Sequence, residues 1–210
     1  GLNLKIHRPN FLIKFFFNFI EISNENYNHT DNKKFHYLGL YLSLLAKLNI
    51  KIETKKHYLP FNPNSNNFFL NKKYLLFHLD KRWETFPLEV RDNLKKKITS
   101  LSYDNKIVVT SNIGCNNFYN FIKKELLNSI NIEFYDEPTL NNIISLVYFS
   151  ETCVSSHSGL IVHSAAAFNK NVIDIVHEEI SNELDRWVPF EINYKRYNVE
   201  NFLNESFKFE

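Results

Sequence analysis

The sequence predicts an α/β domain: a Rossmann-like parallel sheet with helices on both faces. From residue 73 onward, short apolar runs alternate with longer amphipathic segments, and this strand-helix alternation is typical of parallel sheets. The chain has 210 residues, 44% hydrophobic and 23% charged, which suits a folded domain with a sizeable core.

The first part of the chain, residues 1–67, lacks this alternation. Its most apolar stretch, 11–22, is interrupted by polar residues and is shorter than the ~20 residues a membrane-spanning helix needs. Leucine and tyrosine at helical spacing predict an amphipathic helix at 35–48, and the proline- and asparagine-rich segment 60–67 indicates a linker. Because Met is absent even at position 1, we interpret 1–67 as the remnant of an N-terminal domain that is missing or incomplete.

The second part, 68–180, is predicted to be the binding domain. The predicted strands are 74–79, 106–110, 132–135, 152–156 and 172–176. The predicted helices are 87–101, 116–129, 139–149 and 160–168, with Thr139 as an N-cap. The remaining residues, 181–210, are predicted to form a tail helix that either crosses to a partner domain or covers its own surface.

Parallel sheets of this type bind ligands beyond the carboxyl ends of their strands, so the segments that follow the strands are the candidate sites. The most informative is 155–163, where a strand leads into hydroxyl groups, Gly159 and a helix start. Backbone N–H groups at the positive end of a helix dipole bind anions, and Gly159 would let a diphosphate approach closely. The alternative is an ordinary turn with Ser158 as N-cap.

Two histidines, His157 and His163, flank this glycine. We expect them to contact phosphate or sugar hydroxyl groups, although a single histidine on such a helix more often serves packing. Their spacing matches no zinc motif, so no metal is predicted.

A basic pair, Lys81 and Arg82, follows the first predicted strand. At the mouth of a sheet these cations can neutralise a diphosphate, and they can stabilise a leaving group as its negative charge grows. The alternative is a solvated turn that Trp83 anchors to the core.

Three weaker signals complete the set. Glu137 and Asn116 could contact the nucleotide, or simply begin their helices. Asp174 lies inside an apolar strand, where an unpaired charge would be costly, so it should have a partner.

The net charge of +2 is too small to suggest nucleic-acid binding, and it is compatible with peripheral contact with a membrane.

These motifs resemble the C-terminal half of the lipopolysaccharide heptosyltransferases, glycosyltransferase family 9, from about residue 35 to 176. The family's post-strand lysine-aromatic element is similar to 80–83 here. Its Asp-Thr-Gly-Leu element, followed by histidine and small residues, is similar to 157–160 with His163, although His157 stands in place of the acidic residue.

The resemblance implies a GT-B architecture of two Rossmann-like domains, of which this chain is the C-terminal one. It implies that Lys81 contacts the donor phosphate and that Ser158, Gly159 and Leu160 hold the diphosphate. The donor would be a nucleotide sugar and the acceptor a glycan or glycolipid. The catalytic base would come from the missing domain, and the reaction would need neither a cofactor nor a metal. The protein would be cytoplasmic, or peripheral on the cytoplasmic face of the inner membrane. A nucleotide-sugar epimerase and a non-catalytic binding protein remain the alternatives.

Overall fold

The computed structural model describes Leu59 and residues 73–112, 117–178, 181, 184–189 and 192–207, apart from the side chain of Arg186. The chain divides into two compact units, 1–55 with 182–188 and 56–181 with 189–210. The second unit contains the sheet. The predicted helix 35–48, the linker 60–67 and Asn116 lie outside the described residues.

The second unit is built on a sheet of six parallel strands. They are β1 (Leu75–His78), β2 (Ile107–Thr110), β3 (Ile132–Tyr135), β4 (Thr152–Ser155), β5 (Asn171–Val176) and β6 (Tyr194–Asn198). Their spatial order is β3-β2-β1-β4-β5-β6, with every neighbouring pair parallel. The predicted parallel sheet is confirmed. The chain order reverses between β1 and β4, so a ligand crevice is expected at the carboxyl ends of these two strands.

Helices cover both faces of this sheet, as predicted. They are α1 (Glu89–Leu101), α2 (Asn117–Leu126), α3 (Leu140–Phe149), α4 (Gly159–Ala167) and α5 (Val199–Asn204). Strand side chains alternate between the faces. Leu75 and Phe77 join a cluster with α1, α2 and α5, whereas Leu76 joins a second cluster with α3 and α4. Within the described residues, no helix has the length and apolar character needed to cross a bilayer.

The C-terminal part contains a strand as well as a helix, so the prediction of a helical tail missed β6. The strand reads Tyr-Lys-Arg-Tyr-Asn and has no apolar run that would reveal it, because it lies at the edge of the sheet, where its side chains remain partly exposed. After it, Asn198 caps α5 by accepting a hydrogen bond from the Asn201 amide at 2.8 Å. Phe202 is fully buried, and its ring centroid lies 6.5 Å from that of Phe77. The tail thus covers its own sheet.

Candidate functional site

Two polar loops lie side by side at the carboxyl edge of the sheet. The β1 loop (79–88) follows β1, and the β4 loop (156–158) follows β4. These strands are neighbours, with His78 in register with Ser155, so both loops leave the sheet where the strand order reverses. The β1 loop also reaches the end of β5, because Thr85 Oγ1 lies 2.7 Å from His177 Nε2. The structure therefore brings the two predicted binding segments together.

The β1 loop is held by its own side chains. Asp80 is 3% exposed and accepts a hydrogen bond from the Arg82 amide at 3.0 Å. Its other oxygen lies 2.5 Å from Arg82 Nη1. Burial raises the pKa of Asp80, and the Arg82 guanidinium opposes that rise. Arg82 is thus engaged with a carboxylate of its own loop, while Lys81 is exposed and forms no ion pair with a described residue.

Trp83 anchors this loop to the core. Its side chain is fully buried, and its indole Nε1–H donates to the His78 carbonyl at 3.0 Å. Its ring packs against Phe86 and Phe118, with centroid distances of 5.6 and 6.2 Å. The anchoring role considered for Trp83 from the sequence is confirmed.

The conformation of the β4 loop is held by hydrogen bonds to a residue of β5, the strand next to β4. His157 has a φ of 47°, a left-handed conformation that is uncommon for residues other than glycine. Its backbone N–H donates to Asp174 Oδ1 at 2.7 Å, and its ring Nδ1 lies 2.6 Å from Asp174 Oδ2. Because an ionised carboxylate only accepts hydrogen bonds, Nδ1 carries the proton. Nε2 then has no hydrogen-bond partner among the described residues.

Asp174 has the partner that the sequence required, and in fact several. It is fully buried on β5 and accepts hydrogen bonds from His157 and from the Tyr194 hydroxyl. Burial, and after it the proximity of Asp174, raises the pKa of Tyr194, so the phenol stays protonated and donates. Arg196 Nη2 in turn donates to the Tyr194 oxygen at 3.1 Å, and its Nη1 donates to the Ser181 carbonyl at 2.6 Å. This chain of contacts fixes the His157 ring.

Helix α4 begins directly after the β4 loop, at Gly159. Ser158 occupies the N-cap position, but its side chain makes no capping hydrogen bond. A Cβ added to Gly159 would meet only His163 Cδ2, at 3.9 Å, an ordinary contact distance. The first N–H groups of α4 are therefore not capped by the serine, and space is available beside the glycine. Leu160, the next residue, is 40% exposed.

Of the two weaker candidates, Glu137 lies among the described residues and Asn116 does not. Glu137 precedes α3 in a left-handed conformation, with a φ of 39°. Thr139, not Glu137, caps that helix by accepting from the Asn142 amide. Asn116 lies outside the described residues, although Glu84 of the β1 loop accepts a hydrogen bond from the next amide, that of Asn117, at 2.7 Å. Within the described ranges, no three metal-ligating side chains cluster together.

Sequence reasoning selected the segments that follow the strands, but it did not single out three buried polar groups at this edge as candidate contacts. His78 Nδ1, Ser155 Oγ and Ser111 Oγ are buried without hydrogen-bond partners in the described part of the chain. Burial, and then the nearby Arg82 charge, lowers the pKa of His78 to about 4, so its imidazole is neutral. The signal available in the sequence was that each of these polar residues ends a buried apolar strand or directly follows one.

Several solved protein structures are similar to this fold. No family model matches the sequence, and no curated protein matches it. The heptosyltransferase WaaC from E. coli, with ADP-2-deoxy-2-fluoro heptose, is 16% identical over 63% of this chain and 39% of its own, with a TM-score of 0.46. The UDP-GlcNAc 2-epimerase from Methanocaldococcus jannaschii is 14% identical over 64% of this chain and 37% of its own, with a TM-score of 0.46.

A third solved structure, the glycosyltransferase SnogD from Streptomyces nogalater, is 12% identical over 71% of this chain and 41% of its own, with a TM-score of 0.44. The structures similar to this chain thus include glycosyltransferases and epimerases. This chain spans 37 to 41% of the length of these three structures.

Proposed function

We propose that this chain is the donor-binding half of a glycosyltransferase, which transfers a sugar from a nucleoside-diphosphate sugar to a lipopolysaccharide or another surface glycan. The observation that carries the proposal is the convergence of the β1 and β4 loops where the strand order reverses. In sheets with this strand order, that crevice is where nucleotides bind. The resemblance of both loops to heptosyltransferase motifs supports the same assignment.

The diphosphate is assigned to the start of α4. The helix dipole favours negative charge there, the Ser158 side chain leaves the first N–H groups uncapped, and Gly159 leaves space. Lys81 on the adjacent loop supplies an exposed positive charge. Arg82, whose guanidinium is bonded to Asp80, contributes through its remaining donors. Ser158, Leu160 and His163 surround the same helix start.

His157 is assigned to a sugar hydroxyl of the donor, which donates to Nε2, because a neutral ring that carries its proton on Nδ1 can only accept at Nε2. Asp174 holds Nδ1 and the backbone N–H at 2.6 and 2.7 Å, so the ring orientation is set before ligand binds. Such preorganisation lowers the entropic cost of binding. His157 thereby takes the place of the acidic residue found in the family that this chain resembles.

In the reaction, an acceptor hydroxyl attacks the anomeric carbon while the bond from that carbon to the phosphate oxygen breaks. The electron pair of that bond leaves with the nucleoside diphosphate, and a base from the other domain takes the acceptor's proton. Lys81, Arg82 and the start of α4 stabilise the charge that develops on the leaving group. We further propose that the reaction needs no metal or cofactor, and that the protein works in the cytoplasm or on the cytoplasmic face of the inner membrane.

Isothermal titration with ADP, UDP, GDP and their sugars tests this proposal. We expect micromolar binding of one nucleotide, weakened about tenfold by Lys81→Ala because a charge-assisted contact is lost. Lys96→Ala is the matched control, since Lys96 is also exposed but lies on α1. Failure to bind any nucleotide would leave the non-catalytic interaction protein as the better description. NMR of the bound sugar would reveal epimerisation if that chemistry operates instead.

A further inference from the structure

A row of polar side chains crosses the sheet at the level where the central strands end. Thr110 on β2, His78 on β1, Ser155 on β4 and Asp174 on β5 are consecutive register partners. Residues in register on parallel neighbours point to the same face. Leu76 and Cys153, two residues earlier on β1 and β4, pack with α3 and α4. The polar row therefore lies on the face that these helices cover.

The two ends of this row are satisfied and its centre is not. Thr110 Oγ1 donates to the Tyr135 carbonyl at 3.2 Å, and Asp174 accepts hydrogen bonds from His157 and Tyr194. In contrast, His78 Nδ1 and Ser155 Oγ have no partner among the described residues. Both residues are at most 2% exposed. A buried polar group without a partner is costly, and these two lie on the strands between which the order reverses.

The charged groups near His78 and Ser155 indicate which kind of ligand these two residues could bind. Burial and the Arg82 charge lower the pKa of His78 to about 4, so the pair consists of a neutral imidazole and a hydroxyl. Asp174 is the register partner of Ser155, and the buried Asp80 follows His78 by two residues. A phosphate beside these carboxylates would be repelled. A ligand hydroxyl, which donates and accepts, fits a neutral imidazole and a serine.

We propose that His78 Nδ1 and Ser155 Oγ bind a carbohydrate hydroxyl of the donor, from either its ribose or its transferred sugar. The inference rests on the proposed function, because it assigns a part of the same nucleotide sugar to a second group of residues. The diphosphate is held by the loops at the edge, and the hydroxyl reaches the polar row below them. His78 and Ser155 then obtain hydrogen bonds that no residue in the described part of the chain gives them.

Two serine variants of the full chain separate ligand binding from structural roles. Ser155 Oγ has no partner within the described ranges, whereas Ser150 Oγ, also buried, donates to the Val147 carbonyl at 2.8 Å at the other end of β4. We expect Ser155→Ala to weaken binding of UDP-N-acetylglucosamine or ADP-glucose about tenfold, without lowering the urea midpoint. We expect Ser150→Ala to lower the urea midpoint and leave affinity unchanged. His78→Phe, a ring without polar atoms, should weaken binding in the same way as Ser155→Ala.

The choice of titrant distinguishes the two sources of the hydroxyl. Inorganic diphosphate has no hydroxyl of this kind, so its affinity should be the same for wild type and Ser155→Ala. Weaker binding of the nucleotide sugar alone assigns the transferred sugar, and equal weakening with UDP or ADP assigns the ribose. Unchanged affinity for every nucleotide that wild type binds would overturn the inference and assign the row to internal water. No nucleotide binding by wild type would overturn the proposed function and this inference with it.

Discussion

The β1 loop and the β4 loop leave neighbouring strands, yet their polar groups are satisfied in opposite ways. In the β1 loop, Asp80 bonds twice to Arg82 and Trp83 anchors the backbone. In the β4 loop, His157 bonds to Asp174 on another strand, and Ser158 leaves the helix start uncapped. The β1 loop is held in place by its own contacts and exposes one lysine, Lys81. The β4 loop leaves the first N–H groups of α4 without a serine cap, so these donors can bind an anionic ligand.

Removing the anchor of the β1 loop should have the largest effect. Trp83→Ala deletes a fully buried indole and its hydrogen bond to the His78 carbonyl. We expect the free energy of unfolding to fall by about 3 to 5 kcal/mol, measured by urea denaturation. Trp83→Phe, which keeps most of the apolar volume, should cost clearly less. Equal losses for the two variants would contradict a packing role for the ring.

Disturbing the support of the β4 loop should come next. Asp174→Asn replaces an acceptor with an amide whose N–H groups face the donors of His157 and Tyr194. We expect a loss of about 2 kcal/mol in stability and weaker nucleotide binding, measured by denaturation and calorimetry. Asp136→Asn is the control, because Asp136 also accepts from a tyrosine, Tyr119, but is more exposed and should lose under about 1 kcal/mol.

The neutral imidazole of His78, at the end of β1, predicts that the free energy of unfolding depends on pH. Its folded pKa of about 4 lies below the unfolded value of 6.5, so the unfolded chain binds the extra proton between these values. Stability should therefore fall as pH drops from 6.5 towards 4, by at most about 1.4 kcal/mol per pH unit from His78. In His78→Gln this contribution disappears, while that of Asp80 remains. Denaturation curves at several pH values check this, and parallel profiles for the two proteins would refute it.

Filling the space at the start of α4 should have the smallest effect on the fold. In Gly159→Ala the new Cβ meets only His163 Cδ2, at 3.9 Å, so stability should change by under about 1 kcal/mol. Affinity for inorganic diphosphate should nevertheless fall about tenfold, because the methyl group occupies the position through which the anion approaches. Calorimetry measures this fall. Undiminished affinity would mean that the anion does not use this helix start.

The sequence predicted the elements of the sheet well where local pattern determines them. The strand Ile132–Tyr135 and the Thr139 cap appear where they were predicted, because apolar runs and capping residues are local signals. Strand β6 escaped because an edge strand needs no apolar run. For the site, the rule about strand ends selected both loops, since it requires only the order of elements.

The particular contacts could not be predicted, because they depend on register between distant segments. Asp174 plainly needed a partner, yet nothing in the sequence showed that His157, 17 residues earlier, and Tyr194, 20 residues later, would provide it. His78 and Ser155 likewise became neighbours only through strand pairing across 77 residues. The identity of a buried hydrogen bond is a property of the tertiary fold.

The position of Tyr194 on the last strand has a consequence for shortened forms of the protein. A chain cut before that residue, by proteolysis or a premature stop codon, would retain both loops complete and yet lose the phenol that steadies Asp174. Such a truncated product would still carry every residue of the proposed binding motifs. Integrity of the C-terminal segment should therefore be verified by mass spectrometry before an inactive preparation is interpreted.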